Sequence, residues 1–213
     1  MSNAQNAISM MQTADGAMDE MTNIVQRMKD LSTQAANGTN NADDLTAMNT
    51  EFGELSKELK NITDNTTFGG ATLLKSGGKF QAAVDFQIGG VAAEKMTVNV
   101  SVALKAVTDV TGVATTEDLT TAASTAMTNM DTLLDNIGTA RSAFGANINR
   151  LDHTINNLSN MKQNTDVAKG QITDADYAAE SSSMTKNQML MQAGMSVLSN
   201  SNQMTSLVTS LLR

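Results

Sequence analysis

The sequence reads AISMMQTADGAMDEMTNIVQRMKDLSTQA from residue 7 to residue 35, and its apolar positions recur at alternating steps of four and three. A helix places residues with this spacing on one face, so the segment predicts a helix packed lengthwise against other helices. Only Ser32 interrupts the apolar series. The predicted buried positions are Ala7, Met11, Ala14, Met18, Met21, Val25, Met28, Ser32 and Ala35.

A second helix with the same spacing follows after a short polar linker at residues 37–41. Gly38 is placed to end the first helix as a left-handed cap, and Asp43 or Asp44 can cap the start of the next. So short a linker between two helices predicts a helical hairpin. The apolar stripe of the second helix consists of Leu45, Met48, Phe52, Leu55, Leu59 and Ile62.

The pattern changes to a period of two in the middle of the chain. Apolar and polar residues alternate from Phe80 to Phe86 and again from Met96 to Val102, with a turn containing Gly89 and Gly90 between them. This alternation predicts two strands paired as a β-hairpin. We expect a small β-rich insertion between helices rather than a second large domain.

A long helix is predicted from residue 119 to residue 162, with an apolar residue at nearly every third or fourth position. Two successive steps of four occur at Ala140, Phe144 and Ile148, and such a stutter locally unwinds a left-handed supercoil. At a helical rise of 1.5 Å per residue the segment is roughly 65 Å long. The predicted fold is therefore mainly α, with long antiparallel helices forming a rod.

The last 40 residues predict an amphipathic helix of a different kind, because its apolar face is wide and few charges lie opposite it. Such a face needs a partner that buries it. The residues that we expect to contact this partner are Met184, Leu190, Met191, Met195, Leu198, Leu207, Leu211 and Leu212.

Composition argues against catalysis. The chain of 213 residues has no cysteine and one histidine, His153, which is expected to face solvent. The acidic pairs occur at predicted helix starts, where carboxylates stabilise the helix dipole. We therefore predict no enzyme, and no catalytic, metal-binding or cofactor-binding residue. The net charge is 14 − 22 = −8, which disfavours nucleic acid and anionic membranes as partners.

Six segments of the chain carry distinctive motifs, in this order: IVQRMKDLSTQAANGT at 24–39, NTTFGG at 65–70, RSAFGANINRLDHTINNL at 141–158, DADYA at 174–178, QAG at 192–194 and SLLR at 210–213. These motifs and their order resemble those of bacterial flagellin, the subunit of the flagellar filament. The resemblance covers nearly all of residues 5–75 and 119–213. Departures from the family pattern are Phe144 in place of leucine and the absence of a proline near Met204.

The resemblance implies an extracellular protein of the flagellum that polymerises with copies of itself and supports motility. The resemblance implies export without a cleaved Sec signal, and no such signal is visible at residues 1–12. It also implies an export chaperone that binds the C-terminal helix, and recognition by the flagellin-sensing Toll-like receptor. The positions that match the receptor contact are Arg27, Leu31 and Glu51.

By the same resemblance, the chain is expected to lack the N-terminal segment that pairs with the C-terminal helix in flagellins. The expected division is a helical hairpin at 1–75, a β-rich insertion at 76–116, a long helix at 117–165 and an assembly helix at 166–213, disordered in the free monomer. Two alternatives stay open at this point: a hook–filament junction protein, and a non-flagellar helical adaptor that binds a partner helix.

Overall fold

The computed structural model describes residues 1–114, 117–173 and 176–211, with side chains described at all of these positions except 113 and 205–211. The predicted mainly α fold with a small antiparallel strand pair is confirmed. Two compact units are present, residues 1–160 and 161–213. The elements are α1 (Ser2–Ala35), α2 (Ala42–Asn65), β1 (Thr67–Phe68), β2 (Ala71–Thr72), a short 3-10 helix (Lys79–Gln81), β3 (Val84–Gln87), β4 (Lys95–Val98), α3 (Ser101–Ala114), α4 (Leu119–Thr173) and α5 (Tyr177–Leu211).

Helix α1 buries the apolar series that the sequence predicts. All nine predicted positions from Ala7 to Ala35 are buried in the core of the first unit. The one polar member, Ser32, donates its hydroxyl to the carbonyl oxygen of Met28 at 2.8 Å. Burial of this hydroxyl therefore leaves no unsatisfied donor, which would otherwise destabilise the core.

The turn between α1 and α2 differs from the prediction. Gly38 does not adopt a left-handed conformation. The end of α1 is capped instead by the side-chain amide of Asn40, which donates to the carbonyl oxygens of Gln34 and Asn37. The cap of α2 is Asn41 rather than Asp43 or Asp44. Its side chain accepts from the backbone N–H of Asp44 at 2.8 Å, and the Asp44 carboxylate accepts in return from the backbone N–H of Asn41. The prediction overlooked this reciprocal capping box.

The β-hairpin is confirmed, but its strands are shorter than predicted. Strands β3 and β4 pair antiparallel, with Phe86 opposite Met96 and Val84 opposite Val98. Phe80, predicted as the start of the first strand, lies instead in the 3-10 helix Lys79–Gln81.

The second strand stops before Val102, since the Asn99 side chain accepts from the backbone N–H and the hydroxyl of Ser101. This arrangement starts α3, a helix that the sequence reasoning missed. Val102 is consequently 81% exposed rather than part of a buried alternation.

Helix α4 carries the long buried stripe of the first unit. Leu119 at its start donates its backbone N–H to the Asn49 side chain of α2 at 2.9 Å, which fixes this end against the hairpin. At the predicted stutter, Ala140 and Phe144 are fully buried and Ile148 is half-buried. The Phe144 ring packs edge-to-face on Phe80, with centroids 4.9 Å apart. An aromatic pair thus occupies the place where two steps of four meet.

Candidate assembly and recognition surfaces

Helix α5 presents large apolar side chains to solvent. Its N-terminus is capped by Asp176, whose carboxylate accepts from the backbone N–H groups of Ala178 and Ala179 at 3.0 and 3.2 Å. Five of the predicted partner-contact residues are 60–65% exposed: Met184, Leu190, Met191, Met195 and Leu198. The predicted contacts Leu207, Leu211 and Leu212 lie outside the residues whose side chains the structure describes.

The exposed apolar side chains of α5 form two stripes instead of the single wide face that the sequence suggested. At about 100° of rotation per residue, four of them lie within about 40° of Met184, and the others lie more than about 100° away. We call these sets the first stripe and the second stripe. The first stripe is Tyr177, Met184, Met191, Met195 and Leu198, and the second stripe is Met189, Leu190, Val197 and Met204.

Met189 was absent from the predicted set of contacts, although its spacing could have identified it. It lies eight residues before Val197, a separation that places both on one helix face. The second stripe was missed because a single apolar face was expected for this helix. Because two stripes on different sides of a helix cannot be covered by a single helix packed along one side, α5 has surface for more than one neighbour.

Arg27 and Glu51, two of the three residues that match the receptor contact, lie on the surface of the α1–α2 hairpin. The Arg27 guanidinium contacts the Glu51 carboxylate, with Nε donating to Oε1 at 2.8 Å and Nη2 at 2.7 Å from the same oxygen. Both side chains are about half exposed. The pair thus presents a planar cation and an anion together on one side of the hairpin.

Leu31, the third position that matches the receptor contact, does not lie on this surface. Its side chain is 2% exposed and belongs to the core of the first unit. The heptad reading of α1 left Leu31 out of the buried stripe because it followed only the steps of four and three. The core of this unit extends one position further, so that Leu31 and Ser32 are both buried.

An ion-pair cluster that the sequence did not reveal joins α1 to α4. Arg141 donates from Nε to Asp15 at 3.0 Å, and its Nη1 lies 2.7 Å from a carboxylate oxygen of Asp19. The hydrogen bond that Arg141 donates to Asp15 raises the pKa of the guanidinium above its ordinary value, so the group stays charged. Lys29 of α1 also pairs with Asp131 of α4. These contacts lie beside the buried seam between α1 and α4, and they fix the register of the two helices.

The described residues contain no cluster of side chains typical of a metal site. Within that part of the chain, no three His, Cys, Asp or Glu side chains lie together as metal ligands would. His153 is exposed on α4, as predicted. None of the described helices has the length and apolar character needed to cross a membrane.

Comparisons with known proteins agree on one family. Residues 1–79 match the family model of the bacterial flagellin N-terminal helical region, and residues 127–212 match that of the C-terminal helical region. The chain is 38% identical to a flagellin of Halalkalibacterium halodurans, covering 99% of this chain and 76% of that protein. It is 34% identical to a Bacillus subtilis flagellin, covering 99% and 79%. The crystal structure of Bacillus cereus flagellin is similar with a TM-score of 0.59 at 31% identity, over 72% of this chain and 86% of that one.

Proposed function

Because the chain belongs to the bacterial flagellin family, we propose that α5 is the surface through which it joins other copies of itself. In this proposal, neighbouring helices in the filament bury the two apolar stripes of α5. The observation that carries it is the exposure of nine large apolar side chains on one helix. Exposed apolar surface of this extent is typical of an interaction site.

Membership of the family makes the chain a structural subunit of the flagellar filament, which lies outside the cell. It polymerises with other flagellin subunits and is not an enzyme.

We propose a separate role for each part of the chain. Residues 1–75 and 117–165 supply the helices of the rod core, and residues 76–116 form the outer insertion. Residues 166–213 become ordered only on assembly, because most of the stability of a protein helix comes from tertiary packing of its apolar face. Contacts between subunits then offset the entropy lost on ordering.

Two stripes on α5 support an open helical polymer rather than a closed dimer. Each stripe can meet a different neighbour, and a repeated contact between unlike surfaces generates a filament when it does not close on itself. The first stripe carries Met191 and Met195, whose flexible thioether side chains adapt to irregular partner surfaces.

Assembly is tested by adding ammonium sulfate to the purified chain, since this salt strengthens burial of apolar surface. We expect filaments in electron micrographs and a sedimentable fraction. The substitution Met195→Asp should raise the concentration needed for assembly by about tenfold or more, because the interface would bury a carboxylate.

The matched control is Gln192→Asp, which adds the same charge to α5 about 80° away from Met184, between the stripes. It should assemble at nearly the wild-type concentration. Equal effects of the two substitutions would contradict a role for the stripe.

We also propose that a flagellin export chaperone binds α5 before assembly and covers the same stripes. Export of the chain without a cleaved Sec signal belongs to this proposal. Calorimetric titration of such a chaperone into the chain should show binding that Met195→Asp weakens by about tenfold or more, with Gln192→Asp again near wild type. Binding that is insensitive to Met195→Asp would contradict chaperone contact at the first stripe.

Recognition by the flagellin-sensing Toll-like receptor is proposed through Arg27 and Glu51, with Leu31 supporting the α1 backbone from the core side. The support is the exposed, hydrogen-bonded ion pair between two helices. Arg27→Asp should abolish signalling in a receptor reporter assay, because it replaces the cation with a second anion.

The control for the receptor test is Lys57→Asp, which disrupts an exposed ion pair with Glu54 elsewhere on α2. It should leave signalling unchanged. A wild-type response from the folded Arg27→Asp chain would exclude this contact.

A further inference from the structure

Ten of the 16 methionines of the chain fall into two sets with contrasting environments. Those of the first set are fully buried in the first unit, and those of the second set are 61–68% exposed on α5. The buried set is Met11, Met18, Met21, Met28 and Met130. The exposed set is Met184, Met189, Met191, Met195 and Met204.

A thioether is the most easily oxidised side chain that this chain contains, because the sequence has no cysteine. A peroxide transfers one oxygen atom to the methionine sulfur. A bond forms between sulfur and oxygen while the O–O bond of the peroxide breaks. Sulfur loses two electrons to become a sulfoxide, and hydrogen peroxide leaves as water. The peroxide must reach the sulfur, so the reaction is governed by exposure.

We propose that the five methionines of α5 are a peroxide-reactive modification site of the unassembled chain, and that sulfoxides formed there block burial of the helix. The second half of this inference rests on the proposed role of α5 in assembly. A sulfoxide converts an apolar side chain into a polar one with a strong acceptor oxygen. Burial of that oxygen without a donor opposes packing.

The placement of these methionines makes the modification effective on both sides of the helix. Met184, Met191 and Met195 belong to the first stripe, and Met189 and Met204 belong to the second. Oxidation therefore alters the contact surface of both stripes, so it affects binding to a neighbour at either one. Once the stripes are buried, the same sulfurs are protected, so the reaction is confined to subunits outside the filament.

The first half is tested by peptide mapping with mass spectrometry after a time course in dilute hydrogen peroxide. In the native, unassembled chain we expect the α5 methionines to oxidise about ten times faster or more than the buried set, because the buried sulfurs react only after local opening. In concentrated urea the two sets should react at similar rates. Similar rates already in the native chain would overturn the proposed site.

The second half is tested by assembly of peroxide-treated chain, compared with a variant that replaces all five α5 methionines by leucine (Met184→Leu, Met189→Leu, Met191→Leu, Met195→Leu and Met204→Leu). Treated wild type should need about tenfold more protein to form filaments than untreated wild type, whereas treatment should not change the concentration at which the variant itself assembles. The variant retains Met161, which is exposed on α4 outside both stripes. Equal inhibition of the two treated chains would overturn the effect on assembly.

Failure of the untreated wild type to assemble would instead overturn the proposed function, and with it the inferred effect of oxidation on assembly. The peptide-mapping result would still decide whether the α5 methionines are the peroxide-reactive site.

Discussion

Helices α1 and α5 have similar lengths and both are rich in methionine, yet their surroundings are opposite. In α1, Met11, Met18, Met21 and Met28 are fully buried against the rest of the first unit. In α5, every methionine is more than half exposed. An apolar stripe therefore indicates that a helix needs partners, but it does not indicate where those partners lie. The partners of α1 lie in the same unit, whereas those of α5 must come from other subunits in the proposed assembly.

The substitution that should break the first unit most severely is Phe144→Ala. It removes a fully buried ring and its edge-to-face contact with Phe80. Loss of a buried phenylalanine typically lowers the free energy of unfolding by about 3–5 kcal/mol. Urea denaturation followed by circular dichroism should report this loss, and a change below about 1 kcal/mol would contradict the assigned core.

The direct contrast between the two helices is Met21→Ala against Met195→Ala. We expect the first to lower the free energy of unfolding by about 2–4 kcal/mol, because it leaves a cavity in the core. The second truncates a side chain that is already in solvent and should change this free energy by less than about 0.5 kcal/mol. Both values follow from urea denaturation, and equal losses would mean that α5 is packed in the free chain.

The capping residues give a smaller contrast of the same kind. Asn41→Ala removes the side-chain acceptor at the start of α2 and should lower the unfolding free energy by about 1 kcal/mol. Asp176→Ala removes the corresponding acceptor at the start of α5. It should leave the unfolding transition of the first unit unchanged and reduce only the helical signal of α5. A loss of first-unit stability on Asp176→Ala would show that the two are coupled.

A pH-dependent effect, the smallest, is expected at the start of α4. The hydroxyl and the backbone N–H of Thr120 both donate to Asp118 and hold the pKa of this carboxyl below its ordinary value of 3.8. Because the pKa is lower in the folded chain, the contribution to stability is fully present above the ordinary value and is lost as the pH falls through the folded-state pKa.

The midpoint of thermal unfolding of Asp118→Ala should therefore lie below that of wild type at neutral pH and approach it in acid. A difference between the two chains that does not change with pH would contradict the ionised cap. Asn41→Ala is the control for this measurement, since its side chain does not titrate and its effect should persist in acid.

Periodicity alone predicted much of the first unit. The nine buried positions of α1 and the long stripe of α4 follow from steps of three and four, because these steps define one face of a helix wherever it packs. The pairing of β3 with β4 follows equally from alternation of period two.

Local side-chain hydrogen bonds explain where the sequence reasoning failed. Asn40 and Asn41 end α1 and start α2 in place of Gly38 and Asp43, and Asn99 stops a strand and starts α3. Asparagine can serve any of these purposes, so its position in a motif does not specify one. The Arg141 cluster with Asp15 and Asp19 was not predictable either, because it joins residues more than 120 positions apart.

The surfaces show the same limit. The exposure of α5 was predicted from its scarcity of charge, but one apolar face was expected where two stripes occur. Leu31 was expected among the receptor contacts because the resemblance implied it, and the core buries it because α1 is covered on more than its central seam. How widely a helix is covered depends on its neighbours, which its own sequence does not contain.

We propose that α5 has no stabilising partner in the free chain and gains one in the filament. Hydrogen exchange read by mass spectrometry, on the unassembled chain and on filaments of the same chain, decides this point. In the free chain we expect residues 177–204 to exchange within seconds while residues 7–35 stay protected, and in filaments we expect both segments to be protected. Protection of α5 equal to that of α1 in the free chain would exclude this proposal, because its apolar stripes would already be buried.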